Sequence, residues 1–180
     1  MPRARLPVAA IAALSILLGE RASAATDPYA AWFEAGRCAA FDKSSNQQLP
    51  YVKSGQDDLV VTIPVAMQKS LAVWYLYDPK AGIAYRRVGL DSGITKTVRL
   101  AGKPPASVPE TDLHGSHTQS GLKLGTSAAT VVATLGKPYV VKGCGLERYE
   151  YARVREGAPD EIAFTIRNGR VVEILSTLDG

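Results

Sequence analysis

The dipeptide Asn168-Gly169, set between two apolar runs close to the C-terminus, constrains the fold more than any other feature of this chain. Asn-Gly tolerates the positive φ angles of a type I′ turn, whose twist matches that of paired strands. Residues 161–167 and 170–176 are therefore expected to form a β-hairpin. A two-residue loop sets Ile166 opposite Val171 and Ile162 opposite Leu175. It also sets Glu173 opposite Phe164, which breaks the alternation, so a bulge or a longer loop is the alternative. Upstream, residues 121–138 read G-L-K-L-G-T-S-A-A-T-V-V-A-T-L-G-K-P. Thr126 or Ser127 can cap a helix whose Val131, Val132 and Leu135 point to one side. Gly136 permits a left-handed stop, and Pro138 prevents continuation. A third strand is expected over 148–153, carrying Tyr149 and Tyr151.

The other end of the chain reads as an address. Arg3 and Arg5 precede the apolar stretch 6–18, and Ala22-Ser23-Ala24 supplies small residues for cleavage, so residues 1–24 are expected to be a secretory signal peptide. The apolar run falls short of the roughly 20 residues that span a bilayer, and no later stretch reaches that length. No cysteine follows the cleavage site directly, which argues against a lipid anchor. The leader holds three arginines and one glutamate, so the 156 residues after it carry a net charge of +2. So small a charge gives no case for nucleic acid or for an anionic membrane surface. A periplasmic or secreted location follows. Cys38 and Cys144 would then meet oxidising conditions, and an even count favours a disulfide, with a free or catalytic cysteine as the other reading.

Between the leader and the tail, Asp27-Pro28 is expected to open a helix with Tyr29, Trp32 and Phe33 on one face. Gly36 ends it, or it runs on through Phe41. Four β-type runs follow, at 58–63, 71–77, 83–88 and 95–100, with Asp78-Pro79-Lys80-Ala81-Gly82 reversing the chain between the second and third. This reads as an antiparallel meander over region 25–101. Both faces of run 71–77 are apolar, which suits a central strand or a sticky surface. Residues 102–119, with Pro104, Pro105 and Pro109, read as a linker or long loop before a module at 120–180.

The helix punctuation of 121–138, the strand with Tyr149 and Tyr151, and I-A-F-T-I-R-N-G-R-V-V-E-I together resemble the BamE-like (SmpA/OmlA) module of envelope proteins. That resemblance covers about a third of the chain. It implies an α+β fold in which a helix packs on a three-stranded antiparallel sheet, and an envelope role exercised through protein contacts. It implies no catalytic residues. A related architecture occurs in β-lactamase inhibitory protein, which adds a secreted enzyme inhibitor as a further reading.

Few residues suggest chemistry. His114 and His117, beside Asp112, combine two imidazoles and a carboxylate, yet no fourth ligand is visible, so no metal or other cofactor is expected. Leu113-His114-Gly115-Ser116, with Gly143-Cys144-Gly145 later, faintly resembles an L,D-transpeptidase, in which histidine activates a thiolate. There His-Gly precedes the cysteine; here Val141-Lys142-Gly143 does. Gly125-Thr126-Ser127-Ala128-Ala129 approximates a nucleophile elbow without its α/β setting, and no phosphate loop is present. Tyr75, Tyr77, Tyr149 and Tyr151 are candidate partner-contact anchors, with ordinary sheet packing as the plainer account. The sequence thus favours an exported, non-enzymatic binding or structural component with an unidentified envelope protein partner. A cysteine enzyme is the alternative.

Overall fold

The computed structural model describes residues 27–42, 48–53, 57–64, 73–90, 93–155 and 158–179; the expected leader, 1–24, lies outside them. In chain order the elements are α1 (Ala30–Phe33), a 3₁₀ turn (Ala39–Asp42), β1 (Leu59–Val60), β2 (Trp74–Asp78), β3 (Ile83–Leu90) and β4 (Gly93–Leu100). Then come β5 (His117–Thr118), α2 (Ala128–Leu135), β6 (Tyr139–Gly143), β7 (Leu146–Arg155), β8 (Ala158–Arg167) and β9 (Arg170–Asp179). The fold is α+β, as expected, but the tail does not build a three-stranded sheet of its own. Seven strands form one antiparallel sheet in the order β2-β3-β4-β9-β8-β7-β6, and β4 pairs with β9 to join the two halves of the chain.

Two local departures follow from that sheet. The run 58–63 does not enter the meander: only β1 is extended, and it pairs with β5 in a separate two-stranded ribbon. Asp57 explains the diversion, because its buried carboxylate accepts from the Ser120 amide at 2.8 Å and the Ser120 hydroxyl at 2.7 Å. The strand with two apolar faces, β2, lies at the sheet's edge and not at its centre. It is covered on both sides, Leu76 by the main core and Tyr75 and Tyr77 by the N-terminal segment. Part of its outer edge is taken as well, since the Tyr77 amide donates to Pro109 O and Thr111 N donates to Tyr77 O.

The terminal hairpin turns at Asn168, φ 50°, and Gly169, φ 72°, as the dipeptide demands. Ile166 faces Val171, but a bulge between Thr165 and Ile166 then shifts the register, so Ile162 faces Ser176 instead of Leu175. Phe164 gains Ile174 as its partner, and Glu173 moves opposite Thr165. One extra residue in β9 thereby restores inside–outside alternation.

The shift aligns two rows across all seven strands. One runs Leu76, Tyr85, Val98, Ile174, Phe164, Tyr149, Val140, and is apolar throughout. Helix α2 lies on that face, with Val131 and Leu135 fully buried against Ile162, Phe164 and Ile174. Ser127 caps α2 by accepting from Thr130 N at 3.0 Å, and Gly136 stops it at φ 103°. The next row, on the opposite face, runs Tyr77, Ala84, Arg99, Glu173, Thr165, Arg148, Val141, so it is polar in the middle.

Residues 27–42 cross that second face. Helix α1 is a single turn, shorter than expected, because the chain leaves it through Gly36 at φ 74°. Phe33 packs among Tyr75, Tyr77 and Ala84. Arg99 reaches up to donate to the carbonyls of Phe33 at 2.7 Å and Ala35 at 3.2 Å. At the far end Cys38 is bonded to Cys144 in the β6–β7 turn, with Cα atoms 5.8 Å apart. Gly143 has no side chain to obstruct that approach: a Cβ there would lie 2.7 Å from Ala40 Cβ and 2.8 Å from Cys38 Sγ. No helix among the described residues is long and apolar enough to cross a membrane.

Candidate functional site

A half-open cleft of about 820 Å³ lies at one end of the sheet, within the range of sites that bind small molecules or peptide segments. Ile83 and Leu100, paired across β3 and β4, line it. Leu100 is 47% exposed, and Ala81 and Leu124 extend the apolar lining. Pro79 and Lys80 of the β2–β3 turn form one border. Glu110, Asp112, His114 and Ser116 come from the loop beside β2. Lys123 and Gly125 complete the lining, next to β9, where Gly125 N donates to Val171 O at 2.8 Å and Arg170 donates to Gly125 O at 2.9 Å.

Asp78 sets this frame. Its buried carboxylate accepts from the amides of Lys80 at 2.9 Å, Ala81 at 3.0 Å and Leu113 at 3.0 Å. Those bonds fasten the β2–β3 turn to the loop that carries Glu110, Asp112, His114 and Ser116. Burial works against the charge, yet donation from Ala81, Leu113 and Lys80 holds the carboxyl below its ordinary pKa. Being occupied three times over, Asp78 is a brace and not a free ligand group. The lysines differ: among the described residues neither Lys80 nor Lys123 has an ion pair. Ser116 is buried, and its hydroxyl has no hydrogen-bond partner. An unpartnered buried hydroxyl is costly unless a water or ligand meets it.

The residues singled out from sequence fall mostly elsewhere. Tyr75, Tyr77 and Tyr151 are buried, and their rings are engaged within the protein. Tyr75 packs edge-on to Tyr29 and its hydroxyl donates to Asp27; burial first, then that carboxylate, push its pKa up to about 12. Tyr151 donates to the Gly136 carbonyl at 3.1 Å, tying β7 to the end of α2. Tyr149 is half-buried and donates to Glu147 at 3.2 Å. His114 lines the cleft, while the His117 ring bonds the Gly115 carbonyl. No group of three His, Cys, Asp or Glu side chains suited to a metal occurs among the described residues. Cys144, joined to Cys38, has no thiolate to offer as a nucleophile in this state.

Sequence reasoning missed the cleft because its lining comes from three separate loops. The Asp-Pro-Lys-Ala-Gly run was legible as a turn, and aspartate opening such a turn is a signal for side-chain bonds to the following amides. Lys123 and Leu124 lie in the loop before α2, with Leu122 in the core and Leu124 toward the cleft. No protein-family model matches the chain, and neither any curated protein nor any solved structure is significantly similar to it.

Proposed function

We propose that this chain is an exported, non-enzymatic component of the cell envelope that works by binding a protein partner, and that the cleft is where the partner is held. The observation that carries the reading is the cleft itself: a braced, mostly apolar concavity with Leu100 exposed in it. The Cys38–Cys144 bond suits an oxidising compartment, and the N-terminal residues have the composition of a secretory leader. The BamE-like pattern of residues 121–178 supports an envelope role through contacts, although here its helix rests on a seven-stranded sheet.

The test places a photo-activated cross-linking residue at Leu100 and, separately, at exposed Val140 on edge strand β6. The expected result, in a bacterium that exports the protein, is one discrete adduct from position 100 and none of that size from position 140. Equal adducts from both positions, or recovery of the protein from the cytoplasm with its leader intact, would overturn the reading.

A further inference from the structure

Taking the cleft to be the contact site, we infer that it receives a short extended peptide segment with an apolar middle and charges of both signs at its ends. Four observations converge on this ligand class. The central lining is apolar, from Ile83, Leu100 and Leu124. Carboxylates outnumber the one lysine, Lys80, on the β2 side, where Glu110 and Asp112 lie in the loop hydrogen-bonded along the outer edge of that strand. Lys123 stands on the other side, in the segment fastened to β9, and has no carboxylate partner among the described residues. The exposed His114 lines the same space, and its imidazole can bond a peptide carbonyl or carboxylate.

Dimensions agree with the chemistry. β2 and β9 are three strand spacings apart in the sheet order, about 14 Å. The first and fifth Cα atoms of an extended chain lie at most about 14 Å apart. A five-residue segment can place a basic side chain toward Glu110 and an acidic one toward Lys123, from its first and fifth residues, with the apolar side chain of the third on the same face over Ile83 and Leu100. A purely anionic amphiphile would meet Glu110 and Asp112, and a purely cationic one would meet Lys80 and Lys123. A ligand with both signs escapes both repulsions.

The experiment titrates the disulfide-bonded protein, labelled with ¹⁵N, with blocked pentapeptides: acetyl-Lys-Ser-Leu-Ser-Glu-amide, its reverse acetyl-Glu-Ser-Leu-Ser-Lys-amide, and neutral acetyl-Gln-Ser-Leu-Ser-Gln-amide. Uncharged N-phenyl-1-naphthylamine serves as an independent apolar probe of the cleft. The expected result is amide shifts confined to the cleft segments 79–83, 110–116 and 123–125, with one charged peptide binding about tenfold tighter than the neutral one. Lys123→Glu should remove that preference, and a peptide with lysine at both ends should then bind the variant better than the parent. Thermal melting checks that this exposed substitution leaves the fold intact. Equal binding of charged and neutral peptides, or an unchanged preference in Lys123→Glu, overturns the inference. If the naphthalene probe shifts the cleft amides and no peptide displaces it, the peptide class falls while the cleft stands as a binding site. If neither probe nor peptide shifts those amides, both readings fall.

Discussion

Arg99 and Glu173 stand directly opposite each other on β4 and β9, the strands that join the two halves of the sheet, with Nε 3.7 Å from the carboxylate. Both side chains are buried, and the pair is completed by Thr165, which donates to Glu173 at 3.0 Å, and by the two carbonyls that Arg99 holds.

Breaking such a pair from one side should cost more than removing it whole, because a lone buried charge is left behind. Arg99→Met is expected to destabilise the protein by about 3–5 kcal/mol in urea unfolding. Adding Glu173→Gln should recover part of that loss. A double variant less stable than Arg99→Met would contradict this account.

The disulfide closes a loop across a sequence separation of 106. Replacing both cysteines by serine should cost about 2–5 kcal/mol. Hydrogen exchange should locate the loosening in residues 27–42, the segment the bond tethers, before any change appears in β8 or β9. A thiol reagent should label the native protein only after reduction.

Gly143→Ala should cost about 1–3 kcal/mol, because the added methyl group would overlap Ala40 and the Cys38 sulfur. Gly102→Ala is the control, since nothing lies within 4 Å of the Cβ it would add. Its melting temperature should match the parent.

Asp78 makes the stability acid-sensitive. Its folded pKa lies below the unfolded value, so its contribution is complete above about pH 4 and is lost as pH falls through the folded value. Asp78→Asn keeps one acceptor oxygen for three amides and should cost about 2 kcal/mol at neutral pH. It should also flatten the stability profile below about pH 4. Some slope will remain, because Asp58 is likewise lowered, its burial being outweighed by Lys96, Ser176 and Arg153. An unchanged acid limb in the variant would exclude Asp78 as its source.

What was legible in the sequence was local. Ser127, Gly136 and Pro138 punctuate α2 in the chain itself, and Asn168-Gly169 writes the hairpin turn. The bulge was half-visible, in the awkward placing of Glu173 against Phe164. Its purpose became clear only when β4 supplied Arg99 as the partner. Pairing between strands some eighty residues apart leaves no periodic mark on either one, so two halves that read as separate regions share one sheet. β6 was not expected, although Val140 and Val141 are its β-branched signal. The cleft was least visible, because no single loop contains enough of it to show a pattern.

Strand β9 follows the other six strands of the sheet in chain order and yet sits in its middle, flanked by β4 and β8. A chain emerging amino end first therefore presents β4 with a bare edge until residues 170–179 arrive. Such an edge invites association with other chains while it waits. Losing even a few C-terminal residues should thus do more than fray a tail: it would leave two half-sheets with nothing between them.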